Sequence, residues 1–301
     1  MCGILGVSGG GLDLVKSANL LLEHRGPDDC GVFVDKLVEI GLGHTRLSIL
    51  DTSSYGHQPM SSKDGKVVLV FNGEIYNFRE LRKNLEENNC KFCGQSDTEV
   101  LLNLYLLEGV EMLSKLNGIF AFAIWDYKNQ SLFIARDGLG VKPLYYSENN
   151  ENFSFASEIK ALLHLTPKNQ ELDKEEINRY LSFLWCPGEG TPLKSIRKLL
   201  PGEAIIVKSG NIVKKWTWYQ LPIFTGISAN LDKNKSISGT IKYLRQAVHR
   251  QMIADVPVGA FLSGGLDSSS IVALAREVDP DIRCFTIDTT GKQDKGVVND
   301  L

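Results

Sequence analysis

No apolar run in the sequence approaches the ~18 residues that span a bilayer, and the N-terminus lacks the basic flank and apolar stretch of a secretory signal. The cytosol is therefore the expected compartment. A formal net charge of −3, with no block of like charges, leaves no footprint for nucleic acid or an anionic membrane surface. Small-molecule chemistry is the expectation that remains. The six cysteines (Cys2, Cys30, Cys90, Cys93, Cys186 and Cys284) are scattered over 301 residues and do not frame a small disulfide-stapled fold. Cys90-Lys91-Phe92-Cys93 has C-x-x-C spacing, but the second pair or nearby histidines of a zinc site are missing. No glycine-rich turn is followed by Gly-Lys-Ser/Thr, so a P-loop is absent, and Ser8-Gly9-Gly10-Gly11 reads as a plain turn.

What is present begins at the second residue. If Met1 is removed, Cys2 carries an intrinsically strong nucleophile beside an α-amine whose reference pKa of about 8 lets it accept a proton near neutrality. Gly3, Ile4, Leu5, Gly6 and Val7 read as a short buried strand that fixes this terminus. A helix over residues 14–23 follows, with Leu14, Ala18, Leu21 and Leu22 on one face and Asp13 as its N-cap. After His24-Arg25-Gly26-Pro27-Asp28 come short β-rich pieces ending in His44-Thr45-Arg46-Leu47-Ser48-Ile49-Leu50.

The continuous apolar run 67–71 suits a strand buried on both faces, delivering Asn72-Gly73-Glu74-Ile75-Tyr76-Asn77 at its end. Helices are expected over 78–88 and 98–108, with Ser96-Asp97 at the start of the second, where Asp97 reads locally as an N-cap. Strands follow over 120–126, 132–135, 144–146 and 153–156, with Arg136 to Gly140 as a tight connection, then a hairpin of 204–207 and 213–218. Residues 222–235 form the most plausible linker. Beyond it, Ile237, Ile241, Leu244, Val248 and Met252 mark an amphipathic helix. A strand (256–262), a turn (Ser263-Gly264-Gly265-Leu266-Asp267-Ser268-Ser269), a helix (270–277) and a strand (284–287) then open a βαβ unit. Strand, glycine-rich turn and helix in that order offer backbone N–H groups and serine hydroxyls to a nucleotide phosphate.

Taken in order, Cys2-Gly3-Ile4, His24 to Asp28, Arg46 to Ile49, Asn72 to Asn77, Ser96-Asp97 and Ser263 to Ser269 resemble the glutamine-hydrolysing asparagine synthetase family. The resemblance runs from residue 2 to about residue 287 and includes Arg136-Asp137, Lys142 to Tyr146 and Phe155 to Ala161. It implies an α+β N-terminal-nucleophile hydrolase, a layered αββα sandwich over residues 2–221. A linker over 222–235 and the truncated start of an α/β ATP-pyrophosphatase-like domain over 236–301 would follow. It further implies that Cys2 attacks the glutamine amide, with Asn72 and the Gly73 N–H as oxyanion hole. Arg46 would bind the α-carboxylate through its fork, Glu74 and Asp97 the α-amine, and Leu47, Ile49 and Leu50 would supply backbone contacts and an apolar wall. Arg136 and Asp137 are expected to be mainly structural or interfacial.

In the second part, the resemblance assigns Ser263, Gly264, Gly265, Leu266, Asp267, Ser268 and Ser269 to the ATP pyrophosphate, Asp267 to Mg²⁺, and Leu262 and Ile287 to adenine. ATP and Mg²⁺ are its implied cofactors, and glutamine, aspartate and ATP its substrates. A homodimer, or association with a synthetase domain, would be its partnership. The sequence ends before the family's second phosphate motif and aspartate site, so synthetase activity of these 301 residues alone is not expected. Two other readings stay open: ammonia delivered to a different carboxylate such as a sugar acid, and a non-catalytic glutamine-binding partner of a longer synthetase.

Overall fold

The computed structural model describes residues 1–149, 152–166, 170–223 and 232–287. It divides into two units, Met1–Pro222 and Ile223–Leu301. Residues 224–231 of the expected linker and the tail from 288 lie outside the described residues.

The first unit runs β1 (Gly3–Ser8), α1 (Val15–Leu20), β2 (Asp29–Asp35), β3 (Ile40–Arg46), β4 (Met60–Ser61), β5 (Val67–Ile75), α2 (Phe78–Glu87), α3 (Asp97–Glu108), β6 (Gly118–Asp126), β7 (Ser131–Arg136), β8 (Tyr145–Asn149) and β9 (Asn152–Ala156). It continues through α4 (Ile159–Leu165), α5 (Lys174–Phe183), β10 (Arg197–Lys198), β11 (Glu203–Lys208) and β12 (Asn211–Thr217). Two antiparallel six-stranded sheets result, ordered β10-β8-β9-β1-β3-β2 and β12-β11-β7-β6-β5-β4.

Strand parity decides which side chains fill which layer, because successive residues point to opposite faces. Ile4, Ile40 and Leu42 of the first sheet pack with Val68, Val70, Ala121, Ala123, Leu132, Ile134, Ile205 and Val207 of the second, forming the core between the sheets. Leu5 and Val7, of opposite parity, pack outward with Val15, Ala18 and Leu22 around α1 and with Ala161 and Leu162 of α4. Beyond the second sheet, Tyr105 of α3 stacks on Phe133 of β7 at 5.9 Å between ring centres. The order of layers is α, β, β, α, as the α+β sandwich reading expected.

Several local expectations are corrected. The predicted helix over 14–23 is a single α-helical stretch, Val15–Leu20, between 3-10 turns at Leu12–Leu14 and Glu23–Arg25, and Asp13 lies inside the first turn without capping the helix. Strand β5 continues to Ile75, so Asn72, Gly73 and Glu74 stand within a strand paired to β6 rather than beyond its end. Helices α4 and α5 are additions to the expected elements.

In the second unit, α6 (Lys233–Gln251), β13 (Gly259–Phe261), α7 (Leu266–Ala275) and β14 (Arg283–Phe285) form a parallel βαβ, with Gly259 opposite Arg283 and Phe261 opposite Phe285. Val248, Ala275 and Ile282 make its small core. Of the apolar stripe on α6, Val248 is buried, whereas Ile237, Ile241 and Leu244 remain exposed. Helix α7 begins at Leu266, earlier than expected, because Ser263 and Ser268 close the preceding turn on each other, Oγ to Oγ at 3.0 Å. No helix among the described residues is long and apolar enough to cross a membrane.

Candidate active site

Parity along three strands selects the side chains that meet at one end of the sandwich. On the stretch leading into β1, Cys2 shares the inward face of Ile4. On β3 the inward set Ile40 and Leu42 continues to His44 and Arg46, and on β5 Val68 and Val70 continue to Asn72 and Glu74. Cys2, Arg46, Leu47, Ile49, Leu50, Asn72, Gly73, Glu74 and Asp97 all line one open cavity. Every residue expected to meet glutamine is thus in one place. Met1, Gln58, Phe71, Thr98 and Lys142 complete the lining, and the sequence reading had assigned a role to none of these five.

The terminus is held firmly. Cys2 Sγ accepts the Leu47 N–H at 3.4 Å, Arg25 Nε donates to the Cys2 carbonyl at 2.9 Å, and the next residue but one is anchored by Ile4 N–H to Ser157 Oγ at 3.0 Å. Arg25 is in turn fixed by Glu158, which accepts from its Nη1 at 2.9 Å. Burial pushes the Cys2 thiol above its ordinary value, opposed by the Leu47 N–H, the terminal amine and Lys142. Burial likewise lowers the α-amine of Met1. His44 offers no rival base: desolvation takes it down to about 3, and its Nε2 is paired with the Phe71 carbonyl at 3.1 Å.

The outer edge of β5 is where the site opens. There the Phe71 N–H goes to Gln58 Oε1 at 2.7 Å, and the Ile75 N–H to Asp97 Oδ2 at 2.9 Å. The period of two places the Gly73 N–H on that same edge, between them. A side chain on Gly73 could not fit, since a Cβ would sit 2.2 Å from the Ile119 carbonyl oxygen. Beside it the Asn72 carboxamide is 1% exposed, yet both its Oδ1 and Nδ2 lack a hydrogen-bond partner among the described residues. An unpaired buried amide typically costs about 1–3 kcal/mol. Such a group lining a cavity is a donor held ready for a ligand.

Asp97 does not cap α3. Ser96 does, its Oγ accepting the Glu99 N–H at 3.2 Å, which frees the Asp97 carboxylate to face β5. Burial, with Glu74 nearby, raises Asp97 to about 7, the Ile75 N–H opposing. Burial also raises Glu74, and Lys142 pulls it back.

Arg46 departs from the open fork expected of it. Its Nη1 donates to the Ser53 carbonyl at 3.1 Å and its Nη2 to Leu50 at 3.2 Å and to Asp51, so loop carbonyls take three of the five guanidinium N–H groups. The guanidinium shapes the loop that carries Leu47, Ile49 and Leu50. Gly56 makes room for it: a Cβ there would lie 1.8 Å from Nη2. Asp137 and Arg136 are structural, as expected. Asp137 is 1% exposed and accepts the N–H groups of Phe120, Leu139, Val141 and Lys142 at 3.0–3.1 Å. Arg136 Nε donates to the Lys142 carbonyl at 2.7 Å.

In the second unit, Leu262 and Ile287 stand just past the C-terminal ends of the parallel strands β13 and β14, the usual ligand side of such a sheet. Gly264 takes φ 79°, and no side chain caps the N-terminus of α7, so the first-turn N–H groups and the Gly264-Gly265 backbone suit an anion. The serine hydroxyls are less free than expected, because Ser268 Oγ is spent on Ser263 and on the Gly265 carbonyl at 3.1 Å. Asp267 at this turn is a single exposed carboxylate, and among the described residues no group of three metal-ligating side chains surrounds it. One carboxylate with phosphate oxygens is a donor set that Mg²⁺ accepts.

Comparison with known proteins agrees with this geometry. A family model described as glutamine amidotransferase domain matches residues 1–219, and one described as asparagine synthase matches residues 240–300. The chain is 38% identical to asparagine synthetase [glutamine-hydrolyzing] 1 of Bacillus subtilis over 95% of its own length and 46% of that protein's. It is 38% identical to a putative asparagine synthetase [glutamine-hydrolyzing] 2 of Methanocaldococcus jannaschii over 98% of its own length and 61% of that protein's. The chain therefore spans about half the length of the curated relatives it matches. Among solved structures, a glutamine phosphoribosylpyrophosphate amidotransferase from B. subtilis superposes with a TM-score of 0.55 at 21% identity, covering 99% of this chain and 71% of that one, a likeness of fold.

Proposed function

This chain belongs to the glutamine amidotransferase domain family, and we propose that Cys2 is its nucleophile and glutamine its substrate. With Met1 removed, the Cys2 α-amine accepts the thiol proton, and Sγ attacks the side-chain amide carbon of glutamine. The carbonyl oxygen becomes an oxyanion between the Asn72 Nδ2 and the Gly73 N–H. Collapse breaks the C–N bond, the amine returns its proton to the departing nitrogen, and ammonia leaves a thioester on Cys2. Water then releases glutamate and restores the thiol. Losing one oxyanion donor typically costs about 3–4 kcal/mol of transition-state stabilisation.

The observation that carries this reading is Asn72, whose buried carboxamide has no partner among the described residues and lines the same cavity as Cys2. The substrate ammonium is received by Asp97 and Glu74, two acids whose raised values fall once a cation arrives between them. The α-carboxylate takes the N–H donors that Arg46 has left and the backbone of the 47–50 loop. On this reading, residues 2–221 are the glutaminase domain and 236–301 the start of a synthetase domain, and the linker expected over 222–235 ends sooner, since α6 already begins at Lys233.

The ammonia goes, on the same reading, to aspartate activated by ATP as an acyl-adenylate, giving asparagine, AMP and diphosphate. Ser263 to Ser269 and the α7 N-terminus would hold the ATP phosphates, with Leu262 and Ile287 at adenine. Mg²⁺ at Asp267 would neutralise phosphate charge when bound. The test is glutamate formation from glutamine without ATP, compared between the wild type and Cys2→Ala.

A further inference from the structure

We infer that Lys142 is an electrostatic positioning residue of the Cys2 centre: its ammonium, in the wall of the Cys2 cavity, favours the ionised thiol and the unprotonated α-amine at the same time. The inference rests on the assignment of Cys2 as nucleophile and extends it to a residue outside the oxyanion hole and the substrate clamp.

Four observations carry it. Lys142 is 8% exposed, lines the cavity of Cys2, Asn72 and Glu74, and among the described residues its Nζ makes no hydrogen bond or ion pair. A lysine whose stem is buried while its ammonium meets no acceptor in the fold is uncommon. Its backbone is clamped on both sides, N–H to Asp137 Oδ2 at 3.0 Å and carbonyl to Arg136 Nε at 2.7 Å, so the otherwise structural Arg136-Asp137 pair presents this side chain to the cavity. The interaction is felt from both ends. Glu74 and Cys2 hold the Lys142 value up against burial, while Lys142 lowers the thiol, Glu74 and the α-amine of Met1, one residue before the amine that removal of Met1 exposes.

Other charges face the same centre: Arg25 at the Cys2 carbonyl, Arg46 in the cavity lining, and the acids Asp28, Glu74 and Asp97. Arg25 and Arg46 already have carbonyl or carboxylate acceptors. Among the described residues Lys142 has no acceptor at all, while Arg25 keeps only its Nη2 unpaired. A proton moving from Sγ to the amine creates a thiolate beside an ammonium. The fixed positive charge assists the first and discourages premature protonation of the second.

The experiment measures Cys2 alkylation by iodoacetamide against pH, without glutamine, in the full chain with Met1 removed. The N-terminal peptide is read by mass spectrometry, because Cys30, Cys93 and Cys284 are exposed and also react. Lys142→Met should raise the Cys2 midpoint enough to slow alkylation at neutral pH about tenfold, and Lys142→Arg should restore it. Glutamine turnover should show the loss mainly in kcat. Thermal unfolding of each variant is followed in parallel, and Lys142→Gln replaces Lys142→Met if the latter does not fold. A midpoint equal to wild type, or a shift that Lys142→Arg does not reverse, would overturn the inference. The glutaminase reading is judged separately by Cys2→Ala, which needs no titration.

Discussion

The Asp97 carboxylate accepts the Ile75 N–H at 2.9 Å, fastening the first residue of α3 to the open edge of β5 two residues beyond Gly73. A buried acid is thereby fixed beside the proposed oxyanion hole, with a value raised to about 7. This follows for binding: below that pH the acid is protonated and meets the substrate ammonium poorly. Calorimetry on Cys2→Ala protein should show glutamine binding weakening about tenfold per pH unit below 7. Asp97→Asn should bind weakly with a flatter profile. A pH-independent Kd in the Asp97 protein would remove its assigned role.

The same shift predicts a stability effect of opposite benefit. Asp97 binds its proton more tightly folded than unfolded, so it costs stability as pH rises from its ordinary value of 3.8 through about 7. Asp97→Asn should therefore have a higher Tm than wild type at pH 8, with the gap closing toward pH 4. Equal Tm values at pH 8 would contradict the raised value.

Gly56→Ala should disable substrate binding through Arg46. The new methyl would need the space of Nη2, so the guanidinium and the loop carbonyls of Leu50, Asp51 and Ser53 must separate. We expect KM for glutamine to rise more than tenfold with a smaller change in kcat. Unaltered KM in a folded Gly56→Ala protein would show that the loop geometry is not needed.

Asp137→Ala should destabilise the first unit by about 3–5 kcal/mol, since four N–H groups lose one buried acceptor. Denaturant unfolding checks it, and a loss under 1 kcal/mol would refute the clamp.

Much of this was legible in the residues themselves. Cys2, Arg46, Asn72, Gly73, Glu74 and Asp97 were found from motifs, and the structure gathers them in one cavity. Their common facing was not legible, because the run 67–71 is apolar on both faces and hides the period of two that carries Asn72 and Glu74 inward. Ser96 as the cap of α3 was available in the Ser96-Asp97-Thr98-Glu99 pattern, which would have freed Asp97 sooner. Arg25 and Lys142 lie in stretches that carry the family resemblance, but no role for them or for Gln58 is legible locally. Their places are set by Asp137, five residues before Lys142, by Phe71, 13 residues from Gln58, and by Glu158, 133 residues from Arg25. Arg46 kept its place and changed its partners, which only the path of the 47–53 loop could show.

The most direct test of the account is glutamate release from glutamine, with no ATP or aspartate present, by protein whose intact mass shows loss of Met1. The account predicts turnover by wild type, none by Cys2→Ala, and a kcat about 10²–10³ lower in Asn72→Ala with KM little changed. Glutamate release that survives Cys2→Ala, or that proceeds at full rate with Met1 retained, would contradict it.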